Sequence, residues 1–379
     1  MHKAYKIFWL AGESSGDLHS ALIMKSLNDK IPGLTHIGIG GPRMQAQGLK
    51  PLFPFNRFAV MGFVEVLKHL GFFLQVQRRI KQQFSKDKPD LAILVDYPGL
   101  NLRIADLADE YRIPVLYFIC PQFWAWKHER VYKLKASTRH VACILPFEKE
   151  LLDIHNVTSS YVGHPIAEEV SFQMDRNEFA RFYSLDPSKK WIGFFPGSRN
   201  NEIARMLPLF LKAGAKWNSA EYELLFSKSR SVNHAQYMSL LDGKNKVKLI
   251  DGNNYEMMKF CEVLVCTSGT VTLEAAFIGT PLIICYKASP LSYLIGRFFV
   301  RIKRIGLPNI VLDQDLLPEL VQKACSPANI FAEANKILGE PQRNNHIRQE
   351  LKRLKGMLSD KRPSQEMPQI IAALLKTHA

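Results

Sequence analysis

The chain has 379 residues, 47% hydrophobic and 22% charged, which excludes a disordered chain and suits two globular domains of ordinary size. Fifty Lys and Arg against 35 Asp and Glu leave a net charge of +15, which draws the protein toward polyanions: nucleic acid, an anionic membrane face or phosphorylated substrates. No apolar run reaches the roughly 20 residues that span a bilayer, and the short apolar start has no cleavage site, so the cytoplasm is the expected compartment.

Strand-like runs alternate with amphipathic stretches along the chain. Tyr5–Leu10 predicts a first strand, and the turn "AGESSGD" (Ala11–Asp17) leads to a helix over His19–Asn28. Its glycines allow close approach to a ligand at a helix start, or simply make a tight turn with a cap. It is not a P-loop, because no Gly-Lys-Ser/Thr follows. Leu34–Ile39 predicts a second strand. Leu91–Val95, Val115–Ile119 and Val141–Leu145 are short apolar runs of the kind that form buried parallel strands.

After the Leu91 run comes Asp96-Tyr97-Pro98-Gly99-Leu100-Asn101. A carboxylate ending a buried strand either caps the next helix or serves as a general base tuned by its surroundings. After the Val115 run, Trp124 and Trp126 precede Lys127, His128 and Arg130. A packing cluster with solvated basic residues is favoured there over a wall for a ring and an anion.

Beyond Pro165 the rhythm restarts with Trp191–Phe195, Tyr222–Phe226, Lys246–Ile250, Val263–Cys266 and Pro281–Tyr286. This predicts an α/β chain of two doubly wound parallel sheets, with a boundary near Gly163-His164-Pro165. The expected domains are 1–165 and 166–340, followed by a helical tail over 341–379. The tail breaks at Asp360–Pro363 and ends in an apolar-faced helix, Pro368–Leu375, with Pro368 in its first turn. It is expected to pack on the N-terminal domain or on a partner subunit.

Pro196-Gly197-Ser198-Arg199 follows the Trp191 run and opens a helix, a combination that favours an anion site, helix N–H groups and an arginine for a phosphate, over a plain Gly turn with a surface Arg. Ser268-Gly269-Thr270 is a second such turn. Glu274 lies one helical turn beyond Thr270, where a carboxylate can accept both hydroxyls of a ribose or merely complement the helix dipole. Two anion turns and a ribose-type acid in one of two Rossmann-like domains predict a glycosyltransferase, with the nucleotide-sugar donor in the C-terminal half and the acceptor in the N-terminal half. Asp313-Gln314-Asp315 matches the DxD pattern of metal-dependent transferases but lies away from the candidate strand ends, so no metal and no cofactor is expected. Cys120, Cys143, Cys261, Cys266, Cys285 and Cys325 have neither disulfide nor zinc spacing and are expected to be reduced packing residues.

The segments "AGESSGD", "GIGGPRM", "VMGFVEVL", "DYPGLN", "PQFWAWKHERV", "LPFEKE", "VGHPI", "FFPGSRNNEI", "TSGTVTLEAAFIGTPLI" and "LPNIVLDQDLLPELVQ" stand in this order over about residues 6–325. Together they closely resemble the bacterial lipid-A-disaccharide synthase family. The resemblance implies a GT-B fold, two Rossmann-like domains with parallel sheets facing across a cleft, and inverting transfer. The donor it implies is UDP-2,3-diacylglucosamine and the acceptor 2,3-diacylglucosamine 1-phosphate (lipid X); the products are the β-1′,6 disaccharide 1-phosphate and UDP. Asp96 matches the proposed general base. Gly197, Ser198, Arg199, Ser268, Gly269 and Thr270 match the UDP side, Arg199 also aiding catalysis, and Glu274 would hold the ribose. Asn309 matches an asparagine important for activity, on a loop expected to reach the donor. Gly12, Glu13, Ser15 and Asp17 would face the acceptor. The chain departs from the common pattern at Gly99, where some relatives carry an acid, at Glu168, where many have Asp, and at Phe123, where Val is common.

Acylated substrates require contact with a membrane. Phe63, Val64, Val66, Leu67, Leu70, Phe73 and Leu74 form an apolar set at roughly helical spacing, with Arg78, Arg79 and Lys81 behind them. The residues alone suggest a core-facing helix; the resemblance favours one lying on the anionic inner-membrane surface, from the cytoplasmic side. Arg297, Arg301, Lys303 and Arg304 form a second basic stretch. A monomer or homodimer without nucleic acid is expected. The alternatives are another UDP-sugar enzyme of this fold, such as a 2-epimerase or an N-acetylglucosaminyltransferase, or a non-catalytic binder of nucleic acid or membrane. The last explains the charge but not Asp96, Glu274 and the two anion turns.

Overall fold

Ile7 to Ala11 are fully buried in strand β1 (Lys6–Ala11), as expected of a parallel strand covered on both faces. The computed structural model describes residues 4–59, 70–229, 232, 234–241, 247–289 and 303–377. Alternate residues of β1 serve different cores: Phe8 and Leu10 pack with Ile80, Phe84 and Ile104, whereas Ile7, Trp9 and Ala11 pack with Met24, Leu27 and Ile371.

The strands after β1 are β2 (Thr35–Ile39), β3 (Leu49–Pro51), β4 (Leu91–Val95), β5 (Val115–Phe118), β6 (His140–Cys143) and β7 (Ser159–Tyr161). They form a parallel sheet in the order β3-β2-β1-β4-β5-β6-β7. The second sheet contains β8 (Lys190–Phe195), β9 (Tyr222–Lys228), β10 (Lys248–Asp251), β11 (Val263–Thr267), β12 (Leu282–Tyr286) and β13 (Glu319–Val321). Its order is β10-β9-β8-β11-β12-β13, again parallel. Strand order reverses between β1 and β4 in one sheet and between β8 and β11 in the other. In open parallel sheets, ligands bind outside the carboxyl ends of the strands at such a reversal.

The chain divides into two units, residues 1–165 with 359–379 and residues 166–358. The expected separate tail is therefore split. The helix Pro341–Ser359 belongs mainly to the second unit, and the helix Pro363–Thr377 to the first. Met367, Ile371 and Leu375 of the last helix are buried with Ala21, Met24 and Leu27, so its apolar face closes the first unit's core. That helix begins at Pro363, leaving Pro368 inside it rather than in its first turn. The returning chain passes over Gly163, whose φ is +85°; a Cβ there would overlap the Lys361 carbonyl, so only glycine fits.

The first helix runs over Ser14–Lys30 and starts five residues before His19. Ser14 to Asp17 thus form its first turn rather than a loop.

Candidate active site

Asp96 follows β4 at the first sheet's switch point. It has φ +47° and Tyr97 has φ +45°, so two consecutive non-glycine residues lie in the left-handed region, at about 1–2 kcal/mol each. The surrounding hydrogen bonds hold this geometry. The Asp96 carbonyl accepts from Asn101 Nδ2 and from the Tyr117 hydroxyl, both at 2.7 Å, while its N–H donates to the Phe118 carbonyl at 2.9 Å. Asn101 also donates to the Val95 carbonyl at 2.9 Å. The Asp96 carboxylate takes the N–H of Tyr97, the residue that precedes the helix Pro98–Glu110. Burial, reinforced by the charge of Glu13, pushes its pKa up to about 6, against smaller opposing effects from the Tyr97 N–H, His19 and Arg130.

The turn after β1 separates into two functions. Glu13 and Ser15 are exposed, and Glu13 lies near enough to raise Asp96. Gly12 is buried against the Tyr97 ring. Asp17 is not exposed on the loop as expected: only 1% exposed, it accepts the Met44 N–H at 3.0 Å and the Arg43 N–H at 3.2 Å. It caps the short helix Pro42–Ala46, whose first N–H groups have no partner within the helix. A Cβ on Gly41 would lie 2.5 Å from that carboxylate.

The aromatic segment is chiefly packing. Trp124 donates to the buried Glu148 at 3.1 Å, and Glu148, pushed up to about 7 by burial, also accepts the Leu145 N–H at 3.2 Å. Arg130 is the exception to the expectation of solvated basic residues. It is 8% exposed, its guanidinium lies 4.6 Å from the Trp126 ring centroid, and its charge acts on Asp96 and Tyr117. The sequence signal for it is weak, because a buried arginine at a helix start reads like any surface cation.

In the second unit, a cavity of about 740 Å³ lies at the carboxyl ends of β8 to β11. It gathers Gly197, Ser198, Arg199, Ser268, Gly269 and Thr270, together with Glu274. Burial, then the Glu169 charge, pushes Glu274 up to about 7. The Ser268 hydroxyl donates to the Ile305 carbonyl at 3.1 Å. Sequence reading missed the far wall, where Ser227 lies near the end of β9 and Gly252, Asn253 and Asn254 follow β10. Gly and Asn directly after a strand were the available signal.

Asn309 is 1% exposed and engaged internally. Its amide nitrogen donates to the Leu317 carbonyl and to Glu319, both at 2.9 Å, and its oxygen accepts the Leu317 N–H at 3.0 Å. Glu319 in turn accepts the Ile305 N–H at 2.8 Å and the Gly306 N–H at 3.0 Å. These bonds run inward, and through Glu319 they brace the Ile305–Gly306 backbone whose Ile305 carbonyl receives Ser268. Asn309→Ala is expected to cost about 2–4 kcal/mol by leaving buried groups unpaired, read as a lower Tm. Lost turnover at an unchanged Tm would instead indicate direct contact with substrate.

Arg304 takes both acids of Asp313-Gln314-Asp315, bonding Asp313 at 2.5 Å and Asp315 at 2.6 Å. It is thereby withdrawn from the expected basic stretch, while Arg297 and Arg301 lie outside the described residues. So do Phe63, Val64, Val66 and Leu67; Leu70 begins the helix Leu70–Lys86. Phe73, 7% exposed, joins the core with Val76 and Ile80, because this helix turns that face inward. Leu74, 44% exposed, lies on the outer face with Arg78, Arg79 and Lys81.

The family model for lipid-A-disaccharide synthetase matches residues 7–373. This chain belongs to the lipid-A-disaccharide synthetase family. The lipid-A-disaccharide synthase of Nitrosococcus oceani is 38% identical over 352 residues, covering 92% of this chain and 91% of the relative. Among solved structures, the calicheamicin glycosyltransferase CalG4 superposes with a TM-score of 0.64 at 14% identity, over 99% of both chains. The UDP-GlcNAc 2-epimerase of Neisseria meningitidis, bound to UDP-GlcNAc, does so with a TM-score of 0.62 at 12% identity, over 98% of this chain and 99% of that one. These likenesses establish the fold, the GT-B class of two parallel-sheet α/β units. The family match extends through both units and into the last helix, Pro363–Thr377.

Proposed function

We propose that this chain transfers the diacylglucosamine of UDP-2,3-diacylglucosamine to the 6-hydroxyl of lipid X, with the acceptor on the first unit and the donor nucleotide on the second. Asp96 takes the hydroxyl proton as the oxygen attacks the anomeric carbon from the face opposite UDP. The new C–O bond forms as the bond to the β-phosphate breaks, the electron pair leaves with UDP, and the anomeric configuration inverts. Arg199 and the helix N-termini after β8 and β11 stabilise the leaving charge. Glu274 accepts the ribose hydroxyls.

The observation that carries the reading is Asp96 itself, a carboxylate at a switch point on a strained backbone, with a pKa pushed up to about 6. Such a group is ionised at neutral pH yet basic enough to accept a proton. With saturating donor, kcat should fall as pH drops through about 6, because the protonated acid cannot act as base. Glu13→Gln removes a like charge, stabilises ionised Asp96 and should move that limb to lower pH. A pH profile checks this; an unmoved limb would separate Glu13 from the base.

Both substrates carry acyl chains, so the enzyme works at the membrane. No helix among the described residues is long and apolar enough to cross one. Leu74 with Arg78, Arg79 and Lys81 gives the helix Leu70–Lys86 an outer face suited to anionic headgroups.

A further inference from the structure

The anion turn after β8 already holds an anion. Glu202 Oε2 accepts the Ser198 N–H at 2.9 Å and the Arg199 N–H at 3.3 Å, and Glu202 Oε1 accepts from Arg199 Nη1 at 2.7 Å. These are the donors the turn would offer a phosphate oxygen. Gly197, with φ +120°, lies against the same carboxylate: a Cβ there would be 2.7 Å from Glu202 Oε2. The Glu202 side chain is 29% exposed and lines the cavity that also holds Ser268, Thr270 and Glu274. A carboxylate oxygen and a phosphate oxygen cannot both occupy this position.

We propose that Glu202 is an internal competitor for the diphosphate. It fills the N–H nest in the free protein and is displaced when the donor enters, so that donor binding and UDP release are exchanges of one anion for another. This rests on the assignment of the UDP group to the second unit's cavity. Two consequences follow from mass action. The apparent affinity for a diphosphate is reduced by the fraction of molecules in which the nest is open. After transfer, the returning carboxylate helps to expel UDP and limits product inhibition. A ligand without phosphates does not meet Glu202 in the nest, so Glu202 discriminates on the diphosphate alone.

A simpler role for Glu202 is to cap the helix Asn200–Gly214 and orient Arg199. The two roles differ in sign. Removing a pure positioning group weakens UDP binding, whereas removing a competitor strengthens it. Glu202→Gln decides between them, because its amide oxygen still accepts from the two N–H groups while the negative charge is gone. Glu202→Ala removes the side chain altogether, and circular dichroism and Tm confirm that each variant is folded.

Titration calorimetry with UDP and with uridine, on the full chain and both variants, tests the proposal. UDP affinity should rise at least threefold in Glu202→Gln and further in Glu202→Ala, with uridine affinity unchanged and the inhibition constant of product UDP lowered in parallel. UDP affinity that is unchanged or weaker in Glu202→Gln overturns the competitor role and leaves the donor site in place. Failure of the unaltered chain and both variants to bind either ligand overturns the donor assignment and the proposal together.

Discussion

Asp96→Asn is expected to lower kcat by about 10³-fold, within the range that a positioned general base contributes. The substitution isolates the chemistry. Asparagine keeps the size of the side chain and tolerates a left-handed backbone nearly as well as aspartate. The bonds that hold position 96 come from its own backbone, through Asn101, Tyr117 and Phe118, and remain available. What disappears is the carboxylate proposed to take the acceptor's proton. UDP binding should be unaffected, since the cavity assigned to it belongs to the other unit. Steady-state kinetics and UDP calorimetry on the same preparation check both halves. Near-normal turnover in the folded variant would remove Asp96 as the base.

Arg199→Ala should raise the donor KM and the UDP Kd by about 10- to 100-fold, the scale of a lost pair of hydrogen bonds to a charged group. The Arg199 side chain is 75% exposed, so its pairing with Glu202 can give way to an incoming phosphate. Its removal also leaves the Glu202 charge unopposed in the nest, which works against the diphosphate as well. Arg199→Lys should recover only part of the loss, since an ammonium keeps the charge without the planar fork. Donor titrations at fixed acceptor give KM and kcat for each variant. Unchanged values in Arg199→Ala would contradict its diphosphate role.

The strands most legible in the sequence were those buried on both faces. Leu91–Val95 is wholly apolar and was bounded correctly, because nothing polar competes inside a covered parallel sheet. β3, β7 and β13 escaped notice: each has three residues at a sheet edge, too few to display a period, and β3 includes a proline. The candidate site's place in the fold was legible wherever a marked turn followed a strand, as with Pro196-Gly197-Ser198-Arg199 after β8 and Asp96 after β4.

Side-chain direction was the part the sequence concealed. Asp17 and Asn309 are polar residues in motif positions, yet both are spent on backbone groups nearby. In the sequence Glu202 is simply an acid in the first turn of the helix Asn200–Gly214, and its bonds to Ser198 and Arg199 distinguish it. Phe73 and Leu74 are adjacent in sequence, but a helix turns them to opposite environments.

The most direct test is to incubate the purified chain with UDP-2,3-diacylglucosamine and lipid X and follow products by mass spectrometry and proton NMR. The account predicts equal amounts of UDP and a tetraacyl disaccharide 1-phosphate, with the coupling constant of a β anomer at the new linkage. Donor consumed without disaccharide, an epimerised sugar nucleotide, or an α linkage would contradict it.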